Sequence, residues 1–228
     1  MNISPDQIRW IFIYLFVLLI SIALHEFGHA FMAHKLGDDT PRRQGRVTLN
    51  PLAHADPIGT FLLPLMGGIY GAASGAGGGG FGWGKPVQWQ PSRVRRTIRM
   101  ATAQILVSFA GPLMNVVLAT VLALVLSVLV SQGVISNTGE VTQIFYFAIV
   151  TNFVLFFFNL LPVPPLDGGH IAQSFMPYKY RSQFDDFARY GPFIILGFML
   201  IPQMRSIFVT PAMWCANGLT NGLLSLFV

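Results

Sequence analysis

The chain has 228 residues, of which 53% are hydrophobic and 10% charged, with a mean hydropathy of +0.59. A soluble domain carries roughly 25% charged residues, so this balance excludes an ordinary soluble domain and points to the bilayer. The net charge of +5 is spread over short loops and reads as a topology and headgroup signal, not a nucleic-acid surface. The single cysteine, Cys215, excludes an internal disulfide and a multi-cysteine zinc site.

Residues 1–9 are short and polar, and no small-residue cleavage site follows them. The apolar run over residues 8–35 is therefore expected as a retained first span, not a signal peptide. Residues 38–50 are polar and basic, with Arg42, Arg43 and Arg46, and residues 46–49 predict a short strand. Residues 57–73 are apolar but contain Pro64, Gly67 and Gly68, which predicts a broken span or a re-entrant segment. Ten glycines in the eighteen positions 67–84 predict a flexible connection. It is not a phosphate-binding loop, because Pro86 stands after Gly84-Lys85 where Ser or Thr is needed. Residues 86–90 predict a second strand, and Arg93, Arg95, Arg96 and Arg99 form a basic cluster.

Residues 101–130 predict the next span, kinked at Gly111-Pro112. A polar loop over 131–142 leads to a further span over 144–161. Residues 187–208 are interrupted by Gly191-Pro192 and Pro202, and residues 212–228 are short for a crossing and are expected at the interface. The expected architecture is an all-α polytopic membrane protein with one domain over residues 1–228. It is a bundle of about four to six transmembrane or re-entrant segments with short β-strands at the membrane edge. Both basic regions are expected on the cytoplasmic side. Residues 57–73 would then dip in and return, and the metal would lie nearer that side.

Within the first span stands His25-Glu26-Phe27-Gly28-His29. Two histidines four apart lie on one helix face and can share a zinc ion, and the glutamate between them is placed to take a proton from a water. A carboxylate at bilayer depth costs about 3 kcal/mol on insertion scales, so a polar helix face without function is a weak rival.

Residues 159–170, Asn-Leu-Leu-Pro-Val-Pro-Pro-Leu-Asp-Gly-Gly-His, form the second constellation. Three prolines in the four positions 162–165 cannot continue a helix, so the backbone opens here. Asp167, beside two glycines at such a break, can turn toward a metal and complete a His-His-Asp set with an open position for water. The alternative for Asp167 is an N-cap of the following helix. Lys35 occupies the place where a third histidine of the metzincin pattern would stand, and His34 is one residue early. Glu140 lies in a polar loop, and Asp56, just before Pro57, is the serious rival ligand.

These residues together resemble the site-2 protease family of intramembrane zinc metalloproteases. The resemblance rests on the HEFGH motif and on Asn50-Pro51 with residues 54–60. It also rests on Gly84-Lys85-Pro86-Val87, on Gly111-Pro112-Leu113-Met114-Asn115, and on residues 159–167. It implies one zinc ion per chain held by His25, His29 and Asp167, with Glu26 as general base. Asn159 would hold the substrate or the oxyanion. His54 is implied near the site without being a ligand, and His170 reads as a neighbour of the site or a structural residue. For Asn159 helix-to-helix hydrogen bonding is the alternative, and for Asn115 that structural reading is preferred. The family's regulatory domains have no room here, so a minimal core is expected. The implied substrate is a membrane-anchored protein whose transmembrane segment can unwind, and the implied location is a prokaryotic cell membrane. A small metal or ion transporter and a non-catalytic binding relative are the competing classes. The lack of a repeat counts against the first, and the intact Glu26 against the second.

Overall fold

The computed structural model describes residues 3–74 and 82–227, so most of the glycine run expected to be flexible lies outside the described residues. Helix α1 (Pro5–Leu36) starts with a capping box in which Ser4 and Gln7 bond each other's backbone. Pro5 sits at the start, where its missing N–H costs nothing. It stops at Gly37, whose φ of 110° closes the last turn in a conformation that side chains resist. The short α2 (Thr40–Arg43) and a 3-10 turn (Pro51–Ala53) follow. A π-helical segment (Pro57–Leu62) then runs into α3 (Leu63–Ser74).

Next come α4 (Met100–Ser131), α5 (Glu140–Asn159), α6 (Asp167–Phe175), α7 (Arg181–Arg189), α8 (Gly191–Leu200) and α9 (Pro202–Phe227). Helices α1, α4 and α5 are long and apolar enough to cross a membrane, and α8 with α9, bent by 80°, makes a fourth span if the pair counts as one.

Small residues let the long helices approach, as packing without a hydrophobic drive between helices requires. A Cβ at Gly28 of α1 would stand 2.5 Å from the Ala110 carbonyl of α4 and 2.7 Å from Met114. On the far side of α4, Ala119, Ala123 and Leu126 pack with Ile149 and Phe153 of α5 and with Ala212 and Ala216 of α9. The reading of residues 212–228 as a short separate stretch is corrected here. Residues 212–227 are part of one 26-residue helix, and Phe208, Ala212, Ala216 and Thr220 form its buried stripe at four-residue spacing.

The segment that starts at Pro57 climbs α1 to its first turns, where Gln7 Nε2 donates to the Ala72 carbonyl at 3.1 Å. By Trp83 the chain is back beside Gly59, the Trp83 N–H donating to its carbonyl at 3.1 Å, and the Lys85 N–H donates to the His54 carbonyl at 2.8 Å. Both basic regions therefore lie at one end of the bundle, as a segment that dips in and returns requires. Arg9 and Glu140 pair at the other end, at 3.0 and 3.1 Å.

The two expected edge strands are not found: no strand occurs among the described residues. The cause lies in where the backbone groups of these loops find partners. The N–H of Val87 goes to Glu26 Oε2 at 3.1 Å, and that of Gln90 to Asp38 Oδ2 at 2.5 Å. Arg46, buried, donates to the carbonyls of Ala53, Lys85 and Pro86. Side chains take the positions that a second strand would occupy.

Candidate metal centre

His25 and His29 project from one face of α1, about 16 and 10 Å of helix before its end at Leu36. Asp167 reaches them from the first turn of α6. The turn that delivers it closes with hydrogen bonds from Leu161 to Phe158 (3.1 Å) and from Leu166 to Val163 (3.0 Å). It is anchored by Phe158, Leu161, Val163 and Leu166, which pack on Ile195 and Phe208. Gly168 and Gly169 lie flat on this turn, where a Cβ would collide with the backbone of Leu160 and of Pro164. This is a physical reason for two glycines after the aspartate.

The three donors converge. His25 Nε2 stands 3.0 Å from His29 Nε2, and Asp167 Oδ2 stands 3.2 Å from the first and 3.3 Å from the second. A tetrahedral zinc with ligand bonds of about 2.0–2.1 Å needs donors about 3.3 Å apart, so the trio fits that ion. The other nitrogen of each ring is engaged: His29 Nδ1–H donates to the Val107 carbonyl at 2.7 Å, and His25 Nδ1–H to Asn115 Oδ1 at 2.8 Å. Both Nε2 atoms are thus left as acceptors toward the ion. Gly111 of α4 faces the pair, and a Cβ there would collide with His29 Nε2 and stand 2.9 Å from His25 Cε1.

Glu26 is buried beside the trio without joining it. His25, His29, Asp167, Glu26, Trp83, Val87, Asn159 and His170 line one cavity of about 770 Å³. Asn159 therefore faces the site, although its Nδ2 donates to the Leu155 carbonyl of its own helix at 2.9 Å. His170, one turn beyond Asp167, shares the wall. His54 is fully buried behind it and meets the Thr48 carbonyl through Nε2 at 2.9 Å. Burial pushes its imidazole below the ordinary histidine value, opposed by that hydrogen bond. Asp56 stands elsewhere, accepting from the N–H groups of Ile58 (3.0 Å) and Gly59 (2.7 Å) as an N-cap.

Three participants escaped the sequence reading: the Val107 carbonyl, the Val87 N–H and the Asn115 side chain as a partner of His25. The two backbone groups leave no sequence signal. Asn115 leaves one, a polar side chain at the centre of a long apolar run, which by itself reads as helix packing.

The model of peptidase family M50 matches residues 13–201. The chain is 36% identical to "Putative zinc metalloprotease YwhC" of Bacillus subtilis (strain 168), over 92% of this chain and 88% of that protein. It is 29% identical to "Putative zinc metalloprotease Rip2" of Mycolicibacterium smegmatis, over 93% of this chain and 78% of that one. A Rip2 of the same description from Mycobacterium tuberculosis (strain H37Rv) is 28% identical over 86% and 70%. No solved structure gives a significant match. With its multi-pass helices and its converging His-His-Asp trio, the chain belongs to peptidase family M50, the site-2 protease family, and is a zinc metalloprotease.

Proposed function

We propose that this protease is an intramembrane endopeptidase, cutting membrane-anchored proteins within or beside their transmembrane segments, in a prokaryotic cell membrane. The observation that supports this is the position of the trio. His25 and His29 sit well inside a 32-residue apolar helix, and the cavity they share is walled by α4 and α6. A site meant for soluble peptides has no need of such depth.

In this reading His25, His29 and Asp167 hold zinc, which supplies Lewis acidity toward the attacking water and the scissile carbonyl. Glu26 accepts the proton of that water and passes it to the leaving amine. The Val87 N–H holds the Glu26 carboxylate in place for both transfers. Asn159 presents its amide to the same cavity, where it can donate to the oxyanion or to the substrate backbone. A helical substrate hides its peptide groups in its own hydrogen bonds, so segments that unwind readily are cut first.

The test is cleavage of a single-span substrate in proteoliposomes, with the cut mapped by mass spectrometry. Placing Gly or Pro in the span should speed cleavage, and replacing them with Leu should slow it. Cuts confined to the soluble flanks, indifferent to the span's sequence, would reject the intramembrane reading and leave a membrane-bound protease.

A further inference from the structure

Asn115 of α4 is completely buried where three long helices meet. Its Nδ2 donates to the Ser21 carbonyl of α1 at 3.2 Å and to Asn152 Oδ1 of α5 at 3.0 Å. Its Oδ1 accepts from His25 Nδ1–H at 2.8 Å. Asn152 is also completely buried, and its Nδ2 donates to the Ala148 carbonyl at 2.9 Å.

A carbonyl oxygen only accepts. Ser21 therefore decides which end of the Asn115 amide is nitrogen, and Ala148 decides the same for Asn152. With both amides fixed, the chain of bonds has one direction. Donation runs from His25 through Asn115 of α4 to Asn152 and the Ala148 carbonyl of α5, so the group presented to His25 is an oxygen. The Nδ1 of His25 must carry the hydrogen, and its lone pair falls on Nε2, which faces His29 and Asp167.

The same logic holds for His29, but there a backbone carbonyl is the acceptor, that of Val107. Val107, Gly111 and Asn115 lie four residues apart on one face of α4. The stripe reads acceptor, gap, acceptor: the gap admits the two rings, and the flanking oxygens orient them. Ser21 and Asn152 also border an apolar groove of about 410 Å³ between α1, α4 and α5. A hydrogen bond lost beside such a wall is not replaced by solvent.

We propose that Asn115, held by Asn152, is a positioning residue that locks His25 in its metal-binding tautomer and ring orientation. The proposal rests on the reading of His25 as a zinc ligand. It makes the α5 contact part of the metal site, although α5 supplies no ligand.

The experiment is zinc affinity of the detergent-purified full chain, by competition with a chromophoric chelator, with cobalt absorption as a report on ligand geometry. Wild type is compared with Asn115→Leu, Asn115→Asp, Asn152→Leu and His25→Ala. Asn115→Leu should weaken zinc binding by roughly 10- to 100-fold. Asn115→Asp keeps an acceptor toward His25 and should bind more tightly than Asn115→Leu. Asn152→Leu should lose affinity in the same direction, by less. Zinc affinity within about twofold of wild type in a folded Asn115→Leu protein, or equal weakness of the Leu and Asp variants, overturns the proposal. If Asn115→Leu does not fold, wild-type affinity in Asn152→Leu overturns it instead. His25→Ala separates the two readings. Loss of zinc there with none in Asn115→Leu removes the positioning role alone. Full zinc binding by His25→Ala removes the site itself.

Discussion

The backbone N–H of Val87 donates to Glu26 Oε2 at 3.1 Å, across 61 positions of sequence. This bond ties the loop after the glycine run to the metal-bearing helix. It holds the carboxylate beside the His-His-Asp trio without adding it to the trio. Arg46 secures the loop from behind through the carbonyls of Lys85 and Pro86. Glu26 and this loop thus form one unit.

Glu26→Gln follows directly. The amide oxygen of Gln still accepts from Val87, so the local geometry is kept, but it cannot take up a proton. Zinc content should stay near one ion per chain, while cleavage falls by at least about 100-fold. Metal analysis beside a substrate assay on the same preparation checks both halves. Substantial cleavage by the folded variant would remove Glu26 from the reaction.

Asp167 and Asp56 are distinguished by metal content. Asp167 Oδ2 stands 3.2 and 3.3 Å from the histidine nitrogens, whereas Asp56 caps the segment that starts at Pro57. Asp167→Ala should lower zinc occupancy markedly. Asp56→Ala should keep the zinc and lose only the cap, about 1 kcal/mol of stability. The reverse pattern in metal analysis would rebuild the centre around Asp56.

Gly111→Ala tests how closely α4 approaches the rings. The new methyl would collide with His29 Nε2, so either a ring turns or the helix retreats. Overpacking of this kind costs about 1–3 kcal/mol. We expect weaker zinc binding with the helical content kept. Gly218→Ala in α9, where nothing lies within 4 Å, is the neutral control. Equal zinc affinity in the two variants would contradict the close approach.

Sidedness is the fourth prediction. Arg46 binds the carbonyl of Lys85, and Arg93 Nη1 donates to Thr40 Oγ1 at 3.3 Å, so the two basic regions share one face. Single cysteines at Gln44 and Gln90 in a Cys215→Ser background should label from the same side with an impermeant maleimide. By the bias of short basic loops, that side is the cytoplasmic one. Labelling from opposite sides would discard the re-entrant arrangement.

Much of this centre was legible in sequence because its chemistry is local. Histidines four apart face one way on any helix, so HEFGH alone placed two imidazoles and a carboxylate together. Three prolines within residues 162–165 forced a break, and a break beside Asp-Gly-Gly is where a carboxylate can turn inward. The long spans were legible for the same reason, since apolar length is a property of each segment alone. The last helix, Pro202–Phe227, reads from sequence as two stretches, because Pro202 interrupts residues 187–208 and residues 212–228 stand apart as a short run. The buried stripe that holds it against α5 exists only when α5 is beside it.

The amino-acid sequence by itself determined which helices carry the histidines, the glutamate and the aspartate, and that a zinc ion suits them. Tertiary structure decided what each distant polar group faces. Residues 46–49 and 86–90 have the composition of strands, yet they are loops: Arg46, Glu26 and Asp38 reach backbone groups of residues 86–90, and His54 takes the Thr48 carbonyl. Asn115 looks like helix packing until α1 and α5 close around it and its oxygen meets His25. The physical reason is common to both. A buried donor or acceptor must be satisfied, and the partner that satisfies it comes from segments tens of residues away, whose approach no local pattern records.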